Sequence, residues 1–345
     1  MQIDEKYMLR CFELAKLGER FVVPNPMVGA VLVYDNKIIG EGYHQAYGKA
    51  HAEVNCINHV SAEDVEKIKD ATLYVSLEPC SHFGKTPPCA DLIIQHGIKN
   101  VVVSTLDPNP MVAGNGIKKL KEAGINVAIN ILEKEGKNLI KAFYQFHYNK
   151  KSFITLKFAE SIDGYVSKEN ERIKISNDIS DIFVHQLRAS HHAILIGKNT
   201  LDIDNPMLDV RHCNGKNPIK IILSTNGNID LSYRIFNDKE TAIYIINQTI
   251  EQQEQNIKWI KVNDVNNLDN VLDVLFQNGI QSILVEGGSK ILHSFIQQNK
   301  WNSIYKIIGN IKLNNGIKAP EINFNYNSKE TIKKDTILNY INNTY

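Results

Sequence analysis

The sequence predicts two consecutive α/β domains. Its 345 residues are long for a single hydrophobic core. Apolar patterns of strand type and helix type alternate along nearly the whole chain, which is typical of layered α/β architecture. The polar run at 149–152 (Asn-Lys-Lys-Ser) separates two such series. We therefore expect one domain over 1–148 and a second over 149–345.

The first series begins with an amphipathic helix, because Tyr7, Met8, Cys11 and Leu14 follow helical spacing. Two apolar segments then flank Asp35-Asn36, a pair typical of hairpin turns. The expected elements are helix 6–17, strands 28–34 and 37–43, helix 51–58, strand 71–76, helix 90–97, strand 100–104, helix 117–123, strand 127–129 and helix 133–148.

The second series opens with the apolar strand pattern at 153–158 and also alternates strands with helices. The tail over 323–345 is polar and rich in Asn and Lys, with a strand pattern at 336–341. The expected elements are strand 153–158, helix 178–189, strands 193–196, 219–223, 241–246 and 258–262, helix 268–278, strand 282–285, helix 289–298 and strand 301–308.

Composition excludes several classes of protein. Lys and Arg number 39 against 38 Asp and Glu, so the net charge of +1 does not suggest a polyanion-binding surface, and we expect no nucleic-acid partner. No run approaches 18 apolar residues, and the charged start of the chain has no signal-peptide core, so we expect a cytoplasmic protein without a membrane partner. Five scattered cysteines argue against a disulfide framework.

The most informative motif joins His51-Ala52-Glu53 to Cys80 and Cys89 across one strand pattern. One imidazole and two thiolates can hold zinc with its fourth position open to water, whose pKa the ion lowers toward neutrality. Glu53 then fits the carboxylate that moves protons without binding the metal. The common deaminase signature places its two cysteines three positions apart, whereas here they are nine apart. A generic nucleoside or tRNA deaminase is therefore disfavoured.

A second candidate site lies in the C-terminal half. Glu286-Gly287-Gly288 follows a predicted strand and starts a predicted helix, where backbone N–H groups attract phosphate. An ordinary tight turn explains the same residues, because the Rossmann spacing is absent. Arg188 and Arg211 lie near predicted element ends, and surface solvation is the alternative explanation for both.

Across nearly its whole length the chain resembles the bifunctional deaminase–reductases of riboflavin biosynthesis. The N-terminal resemblance rests on segments at 25–30, 42–44, 51–53, 78–89, 107–110 and 112–116 (NPMVGA, GYH, HAE, EPCSHFGKTPPC, DPNP and VAGNG). The C-terminal resemblance rests on 156–164, 187–189, 204–206 with Leu208 and Arg211, and 285–288 (LKFAESIDG, LRA, DNP and VEGG).

For the first domain, the resemblance implies a cytidine-deaminase-like three-layer α/β/α fold. It implies zinc held by His51, Cys80 and Cys89, with Glu53 as the proton shuttle. The substrate would be 2,5-diamino-6-ribosylamino-4(3H)-pyrimidinone 5′-phosphate, a small pyrimidine ribosyl phosphate that loses its 2-amino group. The residues that would bind it are Asn25, His44, Lys85, Thr86, Asp107 and Asn109.

For the second domain, the resemblance implies a dihydrofolate-reductase-like α/β fold that reduces the ribosyl group of the product with NADPH. Arg188, Leu208, Arg211 and Glu286 would meet the substrate. The residues that would meet NADPH are Ala159, Thr200, Asp204, Thr225, Gly287 and Gly288. Lys174 departs from the family, which often carries an aromatic residue there. We also expect a homo-oligomer; the alternative function is a monofunctional zinc deaminase whose C-terminal domain is a non-catalytic binding or assembly module.

Overall fold

The computed structural model describes residues 3–83, 87–110, 112–169, 171 and 173–345. It divides into two compact units, Met1–Lys150 and Lys151–Tyr345. None of the helices in this part of the chain has the length and apolar character needed to cross a lipid bilayer.

The first unit places five strands between two layers of helices. Helix α1 starts where Asp4 accepts a hydrogen bond from the Lys6 amide at 3.1 Å, an N-cap that satisfies one of the first-turn donors. The elements are α1 (Glu5–Lys16), β1 (Gly29–Tyr34), β2 (Lys37–Tyr43), α2 (Ala52–Asn58), β3 (Thr72–Leu77), α3 (Cys89–Gln95), β4 (Asn100–Thr105), α4 (Asn115–Glu122), β5 (Asn126–Ala128), α5 (Glu133–Leu139) and α6 (Lys141–Tyr144).

The sheet order of the first unit is β2-β1-β3-β4-β5. β1 runs antiparallel to β2 and β3, whereas β3, β4 and β5 are parallel. Alternation along β1 sends Ala30 and Leu32 into the core beneath α2, α3 and α4. Val31 and Val33 enter the opposite core with α1 and α5. The three-layer α/β/α prediction is confirmed.

The second unit is built on one large mixed sheet. Its elements are β6 (Phe153–Ser161), β7 (Tyr165–Ser167), α7 (Asp178–Ser190), β8 (Ala193–Gly197), α8 (Lys198–Asp204), β9 (Ile219–Leu223), β10 (Ile243–Asn247), β11 (Gln252–Glu254), β12 (Ile257–Lys261), α9 (Leu268–Gln277), β13 (Ser282–Gly287), α10 (Ser289–Gln297), β14 (Ser303–Gly309), β15 (Ile317–Lys318), β16 (Ser328–Ile332) and β17 (Asp335–Ile341).

The order of this sheet is β11-β12-β10-β9-β8-β13-β6-β14-β17-β16, and β15 pairs separately with β7. Across the sheet, the neighbouring strands from β12 through β10, β9, β8, β13 and β6 to β14 are parallel. Strands β11, β17 and β16 are antiparallel additions at the edges. One face packs against α9 and α10, and the other against α7 and α8. The carboxyl ends of β6, β8 and β13 therefore meet at one edge, where ligands bind in open parallel sheets.

One predicted helix differs from the structure, and one helix of the structure was not predicted, each for a local reason. The helix expected over 133–148 divides at Ile140, whose backbone leaves helical angles (φ −104°, ψ 27°), and it ends in a π-helical turn over Gln145–Asn149. Helix α8 was not predicted, because its seven residues bury only Leu201 fully and so show no helical period.

Candidate active sites

The first site is a cluster of one imidazole and two thiols at the carboxyl edge of the first sheet. Cys80 lies three residues beyond the end of β3, and Cys89 is the first residue of α3. His51 directly precedes the first residue of α2. Three separate element ends thus place the predicted ligand atoms within 4.8 Å of one another.

The donor set fits zinc. His51 Nδ1 lies 3.6 Å from Cys80 Sγ and 3.3 Å from Cys89 Sγ. Ordinary zinc bond lengths in tetrahedral geometry place such nitrogen and sulfur atoms about 3.5 Å apart. A hydrogen bond from Cys89, with the His51 contact, lowers the pKa of Cys80 to about 4 despite its burial. Cys80 is therefore ready to bind metal as a thiolate.

Glu53 lies in the first turn of α2, two residues from His51, and its side chain is buried (3% exposed). Burial raises the pKa of this carboxyl group, although the nearby His51 opposes the shift. A carboxyl group with a raised pKa can take and return a proton near neutral pH. The geometry therefore gives Glu53 the means to act as the predicted proton shuttle.

A cavity of about 320 Å³ opens over this cluster. His44 Nδ1 lies 3.0 Å from the Ala50 carbonyl oxygen, which can only accept, so this nitrogen must donate. His44 Nε2 then accepts a hydrogen bond from the side-chain amide of Asn25 at 3.1 Å. The pair fixes the orientation of the Asn25 side chain on the cavity wall.

The opposite wall comes from the segment after β4. Asp107 and Asn109 both line the cavity, and Asp107 Oδ1 accepts a hydrogen bond from the Asn109 amide at 2.8 Å. Burial raises the pKa of Asp107 to about 6, and the charge of Glu78 adds to the shift. The structure thus brings together Asn25, His44, Asp107 and Asn109. Lys85 and Thr86 lie outside the described residues.

Sequence reasoning missed other residues that line this cavity. Tyr47 and Lys49 lie between the hairpin and His51, and Phe143 comes from α6. No short motif marks these three positions. The available signal for Tyr47 and Lys49 was their closeness in sequence to His51.

The second unit contains a larger cavity of about 500 Å³ at the carboxyl ends of β6, β8 and β13. Eight of the ten residues that were predicted for reduction line it. They are Ala159, Arg188, Thr200, Asp204, Arg211, Glu286, Gly287 and Gly288. Leu208 is buried in the hydrophobic core, and Thr225 is exposed after β9; neither is among the lining residues.

A buried ion cluster forms the floor of this cavity. Arg188 donates to both oxygens of Glu286, at 2.7 and 2.8 Å. Lys157 Nζ lies 3.8 Å from Glu286 Oε2. Burial alone would raise the pKa of Glu286, but the two cations hold it at about 2. Lys157 was missed as a site residue, although a lysine inside an apolar strand pattern is itself a signal of function.

Arg211 lies at the cavity rim beside Asp209, with which its guanidinium pairs. Its backbone amide donates to His185 Nδ1 at 3.1 Å. His185 lies on α7 and is buried (3% exposed). Arg211 therefore presents its cationic group toward solvent and the cavity, on a backbone fixed by His185.

The turn after β13 leaves room for a ligand. A Cβ atom added to Gly288 would lie 2.9 Å from Thr200 Oγ1, and Gly287 has a φ of +150° that favours glycine. The gap between this turn and the start of α8 is thus kept open by absent side chains, which suits a phosphate-bearing cofactor. Lys174 also lines the cavity and pairs with Asp178 and with Asp181, the latter at 2.9 Å.

Comparison with protein families gives two matches in the order that the structure suggests. Residues 1–105 match the cytidine and deoxycytidylate deaminase zinc-binding region. Residues 152–312 match the RibD C-terminal domain. Each match covers the part of the chain that carries one of the two cavities.

Curated relatives match the chain over most of both lengths. The riboflavin biosynthesis protein RibD of Aquifex aeolicus (strain VF5) is 38% identical over 327 residues, which cover 93% of this chain and 91% of the relative. The protein of the same name from Escherichia coli (strain K12) is 35% identical over 314 residues, covering 85% of this chain and 84% of the relative.

Solved structures agree in fold across both units. Acinetobacter baumannii RibD, form 1, has a TM-score of 0.88 at 30% identity and covers 98% of each chain. The diaminohydroxyphosphoribosylaminopyrimidine deaminase/5-amino-6-(5-phosphoribosylamino)uracil reductase of Thermotoga maritima has a TM-score of 0.85 at 34% identity and covers 97% of each chain.

Proposed function

The chain belongs to the RibD family of riboflavin biosynthesis proteins, and from that membership we propose a role for each of its two sites. It is a bifunctional zinc-dependent deaminase and NADPH-dependent reductase. The presence of the RibD C-terminal domain favours this function over a deaminase with a non-catalytic second module. We propose that the deaminase domain spans 1–148 and the reductase domain spans 149–345.

The deaminase step replaces the 2-amino group of the diaminopyrimidine ribosyl phosphate with oxygen from water and releases ammonia. His51, Cys80 and Cys89 would hold the zinc ion, which when bound lowers the pKa of a water molecule toward neutrality. Glu53 would take a proton from the attacking water and deliver it to the leaving nitrogen. Its burial supports this role, because a carboxyl group with a raised pKa accepts and returns protons efficiently near neutral pH.

Asn25 and His44 would hold one side of the pyrimidine, and Asp107 and Asn109 the other. The amide of Asn25 offers both a donor and an acceptor to a ring edge. Its fixed contact with His44 supports the role, since an oriented amide loses less entropy on binding. Lys85 and Thr86 stay predicted contacts of the substrate, with Lys85 as a partner for its phosphate.

The reductase step transfers a hydride from NADPH to C1′ of the ribosyl group, while the C1′–O bond breaks and that oxygen gains a proton. We propose that Gly287, Gly288 and Thr200 hold the cofactor, with Ala159 and Asp204 beside them. Glu286 and Arg211 would meet the substrate, Arg211 by a bidentate contact to its phosphate. The open gap beside Gly288 supports the placement of the cofactor. Leu208 stays a predicted contact of the substrate, and Thr225 stays a predicted contact of NADPH.

We further propose that the enzyme works in the cytoplasm as a homo-oligomer. NADPH and phosphorylated intermediates are metabolites of that compartment, which supports the location. Strand β2 is an edge strand of the first sheet and exposes Ile38 (41% exposed), an arrangement suited to contact with a second chain. Analytical ultracentrifugation tests the oligomer, because a sedimenting monomer at micromolar concentration would contradict it.

The function rests on one observation above all: a zinc-type ligand cluster and a buried carboxyl group lie together in the same cavity. The test is incubation of the zinc-loaded protein with the diaminopyrimidine ribosyl phosphate, with and without NADPH, followed by mass spectrometry. Without NADPH we expect a product with one nitrogen exchanged for oxygen. With NADPH we expect a further gain of two hydrogens. An unchanged substrate would contradict the deaminase assignment, and deamination without further reduction would contradict the reductase assignment.

A further inference from the structure

Glu78 carries out a task that the zinc and substrate assignments leave unexplained. It follows directly after β3 and its side chain is buried (4% exposed). Its carboxylate accepts four backbone hydrogen bonds. Oε2 accepts from Asp107 at 3.2 Å and Gly114 at 3.0 Å. Oε1 accepts from Gly116 at 2.9 Å and Ile117 at 3.3 Å.

These four donors bracket one functional segment. Asp107 opens it, and Gly116 and Ile117 belong to the first turn of α4. Gly114, the residue before α4, gives no side-chain cap, so the Glu78 carboxylate satisfies first-turn donors that would otherwise lose partners. Between the bracketed ends lie Asn109 and Val112, which line the deaminase cavity.

The close approach of α4 to the zinc-ligand loop is a second, independent observation. A Cβ atom added to Gly116 would lie 2.0 Å from the Pro79 carbonyl oxygen and 3.2 Å from Glu78 Oε1. The start of α4 therefore packs directly against the backbone of residues 78–79, one residue before the predicted zinc ligand Cys80. The segment that follows β4 is thus joined to the zinc-ligand loop at this point.

We infer that Glu78 is a positioning residue for deamination: its carboxylate sets the place of the Asp107–Asn109 wall relative to the zinc ligands. The inference rests on the proposed function, because it assigns Asp107 and Asn109 to the substrate. Glu78 itself need not touch the substrate. Its loss should therefore weaken substrate binding more than it slows the chemical step.

Glu78→Gln tests the inference with almost no change in shape. Whichever way the amide turns, its NH₂ group faces two N–H donors and two of the four bonds are lost. We expect KM for the diaminopyrimidine ribosyl phosphate to rise about tenfold, with a smaller fall in kcat. This rise corresponds to the loss of about one hydrogen bond between the displaced wall and the substrate. Zinc content, and NADPH oxidation with the deaminated intermediate, should stay at wild-type levels.

Asp335→Asn provides the matched control. Asp335 is a buried carboxylate in the second unit that accepts from the Asn177 amide and from Ser180 Oγ, both at 2.7 Å. The same change of carboxylate to amide there should leave KM for deamination unchanged. In addition, Asn109→Ala and Glu78→Gln should be non-additive in KM, because Glu78 acts through the wall that carries Asn109.

Several outcomes would overturn the inference. A fall in kcat at unchanged KM would indicate only a smaller folded fraction, and additive effects with Asn109→Ala would indicate that Glu78 acts elsewhere. If Glu78→Gln does not fold, Glu78→Asp, which withdraws the carboxylate by one methylene, is judged by the same change in KM. Failure of wild-type protein to deaminate the substrate would instead contradict the proposed function.

Discussion

Arg188 and Glu286 form a buried two-point ion pair, with Arg188 Nε and Nη2 donating to separate carboxylate oxygens at 2.7 and 2.8 Å. Arg188 Nη1 donates to the Asp209 carbonyl oxygen at 3.1 Å. All three nitrogens of the guanidinium are therefore engaged within the protein. Arg188 was predicted as a substrate contact, and this geometry favours a role in holding Glu286 at the cavity floor.

Removal of Arg188 should destabilise the second unit strongly, because Glu286 would remain buried without its two-point partner, and Lys157 lies 3.8 Å away. For Arg188→Met we expect a loss of about 3–5 kcal/mol in the free energy of unfolding. Both tryptophans, Trp259 and Trp301, lie in the second unit, so their fluorescence during urea unfolding reports on it. The exposed Arg234 provides the control, since Arg234→Met should cost under about 0.5 kcal/mol. Equal losses in the two variants would contradict the argument.

Loss of either thiolate ligand should release the metal. Wild-type protein should carry about one zinc ion per chain, and Cys80→Ser and Cys89→Ser should each carry almost none, because a serine hydroxyl does not supply a thiolate. Metal analysis of the purified variants measures this directly. Cys213→Ser is the matched control, because Cys213 lies in the second unit. Full zinc content in both ligand variants would show that the ligands have been misassigned.

Glu53→Gln should keep zinc but lose deamination. The amide preserves the shape of the side chain and cannot accept and return a proton, and such acid–base roles contribute about 10²–10⁴ in rate. The measurement is ammonia release under single-turnover conditions, alongside zinc content. Reduction of the deaminated intermediate by the same variant serves as the internal control and should be unchanged. A rate near that of wild type would assign proton transfer to another group.

The zinc site could be predicted from the sequence because its ligands have a recognisable order along the chain and lie beside predicted helices and strands. His51 directly precedes a helix, Cys80 lies three residues beyond the end of a strand, and parallel strands bring such ends to one edge. The family resemblance predicted four substrate contacts that the structure describes, and the structure places all four around that edge. They are Asn25, His44, Asp107 and Asn109.

The residues that were missed depend on tertiary contacts that no local pattern records. Phe143 lines the deaminase cavity from α6, which begins where the helix predicted over 133–148 divides at Ile140. In the sequence Glu78 stands out only as part of a motif, because its four hydrogen bonds come from a segment that lies 29 to 39 residues later. Asp335 accepts hydrogen bonds from Asn177 and Ser180 at the start of α7, although it lies more than 150 residues later in the polar tail.

Gly288→Ala should weaken NADPH binding selectively. The added methyl group would lie 2.9 Å from Thr200 Oγ1 and would narrow the gap that we assign to the cofactor. We expect KM for NADPH to rise by about tenfold or more, as contacts worth roughly 1.4 kcal/mol are lost. Steady-state NADPH oxidation with the deaminated intermediate measures this rise, and deamination by the same variant is the control. An unchanged KM would place the cofactor elsewhere.

The second unit should lose stability in mild acid through His185. Burial, followed by the charges of Arg188 and Arg211, lowers the pKa of His185 to about 4 from an ordinary value of 6.5. His212 and Asp209 are the other titratable groups that act on the ring. His185 Nδ1 also accepts the Arg211 amide, and a protonated ring would lose that bond. Between about pH 4 and pH 6.5, His185 therefore binds a proton in the unfolded chain but not in the folded chain.

The resulting stability is fully present above about pH 6.5 and is lost progressively as the pH falls toward 4, because the folded pKa lies below the unfolded one. The shift corresponds to an upper limit of about 3 kcal/mol. Urea unfolding followed by tryptophan fluorescence at pH 7 and pH 4.5 measures the loss. His185→Gln should reduce the loss by about 2 kcal/mol, since an amide does not titrate and its oxygen can still accept the Arg211 amide. His59→Gln, in the first unit, should leave the tryptophan signal as in wild type. An equal acid loss in wild type and His185→Gln would mean that other groups account for it.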